Sequence, residues 1–153
     1  MTQLSEHFSL EELTFSQTAL DRGIDNTPSQ EIIDALTRTC VIGLEPARAL
    51  WGVPCHTDSG YRCPELNEAV GGADRPGHES EHEFGRAADL IPAGLALRDA
   101  FDTIRLSDIP YDQLIIENNC WIHIGIAAEG VTPRHQAMVA VGGPGHWSYQ
   151  EVA

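Results

Sequence analysis

The sequence predicts a single-domain α+β fold in which helices pack on one side of an antiparallel sheet. Helical signals gather in the first third of the chain, and strand-like segments joined by short links follow in the second half. The length of 153 residues corresponds to one domain, and a hydrophobic share of 42% is sufficient for a core. We expect this domain to span residues 1–141 and a loosely ordered, glycine-rich tail to span residues 142–153.

The first helix is predicted to begin just after Ser9. Ser9 and Glu12 have the spacing of a capping box, in which the serine caps the helix and the glutamate reaches back. Phe8 and Leu13 occupy the positions of a hydrophobic staple around the same helix start.

The main core helix is predicted to open at Pro28 and Ser29. Apolar residues then recur at roughly helical spacing as far as Leu44. Pro46 should kink or restart this helix, because proline lacks the N–H that an uninterrupted helix needs, and the helix should continue to Trp51.

The remaining elements follow from alternating hydrophobicity and from glycine and proline positions. They are a strand over Val53–Thr57, a short helix from Pro64 to Gly71, a polar loop over Ala73–Glu81, a strand over Arg86–Ile91, a helix over Leu97–Leu106, a hairpin of Gln113–Ile116 with Trp121–Ile126, and a strand over Arg134–Val141.

The formal net charge of −14 argues against nucleic acid and anionic membranes as partners, because both would repel the chain. No apolar run approaches the roughly 18 residues of a membrane helix, so no membrane insertion is expected. The first 20 residues lack the basic start and apolar stretch of a secretory signal. We therefore expect synthesis in the cytoplasm, and we expect a monomer.

The four cysteines are Cys40, Cys55, Cys63 and Cys120, and none of them forms a CxxC pair. This spacing disfavours a zinc ribbon or a redox motif. Cytoplasmic synthesis favours reduced thiols, so we expect free cysteines. A bridge between Cys55 and Cys63 is the main alternative.

Two segments of the chain offer metal-ligating side chains. His82 and Asp89 flank Gly85, which permits a tight turn, and Asp89 enters a predicted strand. His123 lies in a strand whose isoleucines occupy one face, so the histidine projects from the opposite face. Two imidazoles and one carboxylate form a common ligand set of catalytic zinc, which keeps its fourth position open.

The segment Ser80–Asp89 matches the pattern S-x-H-x-x-G-x-A-x-D. Together with Ser59–Arg62, with Pro64, Leu66 and Asn67 after it, and with Trp121–His123, it resembles the D-alanyl-D-alanine carboxypeptidase-like zinc peptidases. That family includes vancomycin-resistance D,D-dipeptidases and phage L-alanyl-D-glutamate endolysins. The resemblance extends from about Leu4 to Val139, with the motifs in the same order.

The resemblance implies a hedgehog/D,D-peptidase-like fold and one zinc ion per chain, with His82, Asp89 and His123 as ligands. It implies Arg62 as the residue that binds substrate or stabilises the oxyanion, for which an always-charged guanidinium is suited. The substrate-binding residues expected around this centre are Arg62, Ser59, Tyr61, Trp121 and Gln113.

The catalytic carboxylate departs from the family pattern. Many members place it three residues before the last ligand, where this chain has Cys120. Glu117 is the nearest acid, and its orientation depends on the hairpin loop. A two-residue loop of Asn118 and Asn119 turns Glu117 away from His123, whereas a three-residue loop that includes Cys120 places both on one face.

The resemblance implies hydrolysis of an amide bond in peptidoglycan stem peptides. We expect Glu117 to act as the base, because it is the acid nearest to His123 in the sequence. A phage lysis or virion-associated enzyme that acts at the cell wall after release is the first expectation, and a bacterial cytosolic dipeptidase is the second. The missing acid at position 120 leaves open a catalytically impaired, zinc-stabilised wall-binding or virion structural module. A metal-free scaffold is a third interpretation.

Overall fold

The computed structural model describes the backbone of residues 1–153 and every side chain except that of Arg75. The helices are α1 Leu10–Thr14, α2 Gln17–Arg22, α3 Gln30–Thr39, α4 Glu45–Trp51, α5 Pro64–Ala69 and α6 Leu97–Arg105. The strands are β1 Cys55–Ser59, β2 Asp74–Arg75, β3 His78–Glu79, β4 Ala87–Pro92, β5 Tyr111–Glu117, β6 Trp121–Ile126, β7 Gln136–Val141 and β8 Ser148–Glu151. A π-helical segment, Cys40–Leu44, joins α3 to α4, and a 3₁₀ turn, Glu81–Phe84, precedes β4.

The predicted α+β class is confirmed, with one six-stranded sheet in the order β1-β4-β6-β5-β7-β8. Neighbouring strands are antiparallel except β5 and β7, which are parallel, so the sheet is mixed rather than purely antiparallel. The reason is topological: β4 occupies one edge of β6, and residues 127–135 carry the chain past β5 to its free edge.

The main core lies on the sheet face that carries Ile122, Ile124 and Ile126 of β6, as the strand alternation predicts. Leu36 of α3 and Phe101 of α6 are fully buried in the same core. The helices α3, α4 and α6 thus cover one face, and His123 projects from the other.

The restart predicted at Pro46 takes the form of the π-helical segment between α3 and α4. Pro46 then occupies the first turn of α4, where a missing N–H is tolerated. Gly43 lets this segment approach the sheet, because a Cβ at that position would lie 2.7 Å from Cδ1 of Ile126.

The first helix begins after Ser9 as predicted, and the Ser9 hydroxyl accepts a hydrogen bond from the Glu12 N–H at 3.2 Å. The other half of the predicted capping box is wrong. The Glu12 carboxylate accepts a hydrogen bond from the Thr57 hydroxyl at 2.6 Å, because β1 packs beside α1.

Two segments are more regular than the sequence suggests. The predicted polar loop over Ala73–Glu81 contains the short hairpin of β2 and β3. The segment 142–153, expected as a loosely ordered tail, contains β8, which pairs with β7 as the edge of the sheet. The domain boundary at residue 141 stays a prediction.

The four cysteines are free thiols in the structure. Burial raises the pKa of Cys40 to about 12 and that of Cys55 to about 11, so both are protonated at neutral pH. None of the helices in the described chain has the length and apolar character that crossing a bilayer requires.

Candidate metal centre

Two strands place a carboxylate beside an imidazole on the face opposite the main core. Asp89 of β4 pairs with His123 of β6 in the antiparallel register. Partners in a register project to the same face of a sheet, so the two side chains meet. Ala88 and Leu90, on either side of Asp89, enter the main core, and this alternation holds Asp89 rigidly on the other face.

His82 reaches the same point from the 3₁₀ turn. The Ser80 hydroxyl caps this turn, and Gly85 ends it with a φ of +67°, which glycine adopts without strain. The His82 Nδ1 lies 2.6 Å from the Gly60 carbonyl oxygen, which can only accept. Nδ1 therefore carries the proton, and Nε2 is left with its lone pair toward the sheet.

The three donor atoms form a compact triangle. The Nε2 of His82 lies 3.2 Å from the Nδ1 of His123 and 3.4 Å from the Oδ1 of Asp89, and the last two atoms are 3.0 Å apart. Two corners of a zinc tetrahedron are about 3.3 Å apart when the ligand bonds are about 2.0–2.1 Å long. The donor set and its spacing fit a zinc ion.

The electrostatics of the triangle favour a cation. Burial raises the pKa of Asp89, but His82 and His123 outweigh this effect and hold the pKa below its usual range. Burial lowers the pKa of His82, so its imidazole is neutral at pH 7. Burial also acts to lower the pKa of His123, but the Asp89 carboxylate outweighs it and the net shift is upward. A bound metal ion would compete with that proton on His123.

The hairpin between β5 and β6 settles the orientation of Glu117. Glu117 pairs with Trp121, so the loop consists of the three residues Asn118, Asn119 and Cys120. Both asparagines have positive φ, of 49° and 52°, which asparagine tolerates better than most residues. The three-residue alternative is therefore confirmed, and Glu117 lies on the His123 face.

The Glu117 carboxylate accepts a hydrogen bond from the Trp121 indole N–H at 2.9 Å. Burial raises the pKa of Glu117, and the charge of Asp89 raises it further. The His123 imidazole, the Trp121 hydrogen bond and the Arg62 guanidinium act in the opposite direction without cancelling the shift. A raised pKa suits a group that must both accept and return a proton.

Arg62 belongs to the same constellation. Its backbone N–H donates to the His82 carbonyl at 3.2 Å, and its Nη2 lies 3.4 Å from the Ser80 hydroxyl. Burial lowers its pKa, whereas Asp89 and Glu117 raise it, which places the guanidinium among these carboxylates. Its Nε is buried and has no hydrogen-bond partner among the described residues.

Three of the other predicted substrate-binding residues lie on the face of the metal centre, and the fourth is buried in the core. Ser59 pairs with Asp89 at the end of β1, and Trp121 holds Glu117. Gln113 lies on the site face and donates to the Gln136 side chain at 2.9 Å. Tyr61 is only 8% exposed and packs with the main core, so its side chain is a structural group rather than an accessible one.

The Gly60 carbonyl is the site group that sequence reasoning missed. A Cβ at Gly60 would lie 2.3 Å from the Leu13 carbonyl oxygen, so only glycine allows the backbone to run this close to α1. The glycine inside the Ser59–Arg62 motif was the available signal. Only the tertiary structure shows that this glycine packs against Leu13 and that its carbonyl thereby reaches His82.

A search of curated proteins finds no match to the chain. The sequence model described as peptidase M15 matches residues 6–125, and this range contains the three candidate ligands, Arg62 and Glu117. The match covers well over half of the 153 residues. The resemblance noted from the motifs is thus confirmed, and the chain belongs to peptidase family M15, a family of zinc-dependent metallopeptidases.

Proposed function

We propose that this chain is a zinc peptidase that hydrolyses an amide bond in the stem peptides of bacterial peptidoglycan. The observation that carries the proposal is the face shared by Glu117 and the triangle of His82, Asp89 and His123. Membership of family M15 supports the same chemistry. A structural metal site would not need a half-buried carboxylate beside it.

His82, Asp89 and His123 would hold one zinc ion per chain. When bound, the ion would lower the pKa of a water and polarise the scissile carbonyl. The Gly60 carbonyl fixes the tautomer of His82, and the strand register fixes His123 against Asp89, so the ligands are oriented before the ion arrives.

Glu117 would carry the proton during hydrolysis. Its carboxylate takes a proton from the attacking water as the water oxygen bonds to the carbonyl carbon. The same proton then passes to the leaving amine as the C–N bond breaks, and Glu117 returns to its starting state. The Trp121 indole N–H holds the carboxylate in place throughout.

Arg62 would donate hydrogen bonds to the oxygen on which negative charge develops. Its guanidinium is desolvated by burial, so a hydrogen bond from it is stronger than one made in water. Ser59, Trp121 and Gln113 lie on the same side of the sheet and would contact the peptide on either side of the scissile bond.

The bond that is cut could be D-Ala-D-Ala, L-Ala-D-Glu or another amide of the stem peptide, as a carboxypeptidase or an endopeptidase. A phage lysis or virion-associated enzyme acting at the cell wall is our first proposal for its setting. We expect it to act as a monomer, without nucleic acid or membrane partners, in keeping with a net charge of −14.

A second candidate function is a zinc-stabilised binding module with impaired catalysis. Cys120 favours it, because this residue occupies the position where many family members have an acid, and it is exposed at the hairpin tip. The orientation of Glu117 favours the enzyme, since a carboxylate is supplied from the other strand of the same hairpin.

Digestion of purified peptidoglycan, with mass analysis of the products, tests the proposal. We expect new amine and carboxyl termini at one stem-peptide bond, and we expect their loss on chelation and their return with zinc. Intact peptidoglycan after incubation with the zinc-loaded protein, together with retention of the protein on the wall, would support the binding module instead.

A further inference from the structure

The C-terminal strands extend the face that carries Glu117. Glu117 pairs with Ala140 of β7, and Ala140 pairs with Tyr149 of β8. These residues and Trp121 form a row across four strands on one face of the sheet. Tyr149 can approach Glu117 over the short Ala140 side chain, and burial followed by the Glu117 charge raises the pKa of this tyrosine.

The loop between β7 and β8 is anchored at both sides of this face. The Asn118 side chain donates to the Gly142 carbonyl at 2.8 Å and accepts from the Gly142 N–H at 2.9 Å, next to Glu117. On the far side, Pro144 packs on Gly71 after α5, where an added Cβ would lie 2.4 Å from the proline ring. The loop therefore spans from the hairpin tip to the end of α5.

Trp147 at the end of the loop and Tyr149 in β8 form an aromatic pair beside the metal centre. Trp147 packs against the cluster formed by Ile115, Met138 and Ala140, and Ile115 is the partner of His123 in the sheet register. The Trp147 and Tyr149 rings have centroids 6.5 Å apart, Trp147 is half-buried and Tyr149 is 53% exposed. An aromatic surface that is open to solvent thus adjoins Glu117.

We infer that Trp147 and Tyr149 form one wall of the substrate groove, on the Glu117 side of the metal centre. The inference rests on the proposed function and names the residues that hold the peptide there. Aromatic side chains suit the task, because they offer a large rigid contact area at a small cost in conformational entropy. The wall lies outside residues 6–125, the range that the sequence model of the family matches.

Steady-state kinetics on a synthetic stem pentapeptide test the wall. Trp147→Ala should raise KM about tenfold, as loss of one buried aromatic contact does at binding interfaces. We expect kcat within about twofold of the wild type and an unchanged zinc content, because the proposed mechanism gives Trp147 no part in zinc binding or proton transfer. Trp147→Phe should recover most of the affinity, since it keeps an aromatic face.

Leu106→Ala is the matched control, because Leu106 is an apolar residue that is 75% exposed after α6 on the core side of the sheet. An unchanged KM in Trp147→Ala, or a fall in kcat with KM unchanged, would overturn the inference and leave the proposed function standing. A wild-type protein that cleaves no stem peptide would refute the proposed function and this inference with it.

Discussion

Glu117 is a partly buried carboxylate that must be ionised to act as a base. Its carboxylate is half-buried beside Asp89, which disfavours its charge, and yet the proposed chemistry needs that charge. Residues at active sites commonly lower the stability of the folded protein while they support its activity. Two measurements on the same variant separate the two effects.

For catalysis, Glu117→Gln should lower turnover by about 10²–10⁴-fold, the usual worth of a positioned general base. Zinc content should stay near one per chain, because Glu117 is not in the donor triangle. Turnover and elemental analysis check both parts. Cys120→Ala is the control and should change little, since this thiol is exposed. Wild-type turnover in Glu117→Gln would remove Glu117 from the mechanism.

For stability, Glu117→Gln should make the zinc-free protein more stable at neutral pH, by about 0.5–2 kcal/mol. The pKa of Glu117 is higher in the folded chain than in the unfolded chain. Ionisation of this carboxyl as pH rises therefore lowers the free energy of unfolding. The gain should disappear as pH falls below the pKa of the unfolded chain, because Glu117 is then protonated in both states. Chemical denaturation of both proteins at pH 4 and pH 7.5 tests the sign, and equal stabilities at pH 7.5 would contradict it.

At the scale of elements, residues 127–135 connect β6 to β7. An ion pair between Arg134 of this connection and Asp112 of β5 holds it against the sheet. Asp112, only 6% exposed, accepts from the Arg134 guanidinium at 2.6 and 3.1 Å and from its backbone N–H at 2.8 Å. Burial raises the pKa of Asp112, but the Arg134 contacts outweigh it. This pair anchors the chain two residues before β7 begins its pairing with β5.

Arg134→Ala should destabilise the fold by about 1–3 kcal/mol, because it leaves a buried carboxylate with fewer partners. Arg98→Ala is the control. Arg98 forms an exposed pair with Asp102 on α6, and such pairs contribute about 0–1 kcal/mol. Urea denaturation of both variants measures the difference. The interpretation fails if the two variants lose the same stability.

At the scale of the whole molecule, the metal centre joins three separate parts of the chain. His82 comes from the 3₁₀ turn, Asp89 from β4 and His123 from β6, and all three are buried. A ligand that binds only the folded state stabilises it by mass action. The zinc ion should therefore act as a tertiary cross-link as well as a catalyst.

Removal of zinc by a chelator should lower the melting temperature, and added zinc should restore it. At a free zinc concentration of about 1,000 times the dissociation constant, the expected stabilisation is about 4 kcal/mol. His123→Ala should abolish the zinc-dependent part of the shift while the fold remains measurable. A melting temperature that does not respond to zinc would argue for a scaffold that does not use the metal.

The sequence by itself determined the features that depend on neighbouring residues. The missing N–H of Pro46 indicated the helix restart. Strand periodicity identified the isoleucine face of β6 and the projection of His123 from the opposite face. The motifs around Arg62, around His82 and Asp89, and around His123 together identified the family, since each keeps the family's local spacing. These are local constraints, and each is contained within a few residues of chain.

The tertiary structure decided what depends on contacts between distant residues. Alternation alone left two hairpin loops possible, and pairing across β5 and β6 selected the one that turns Glu117 toward His123. The Gly60 carbonyl reached His82, and β8 joined the sheet, only because other elements held them there. A strand shifted by one residue reverses its faces, so the pairing between β5 and β6 decides whether this site forms.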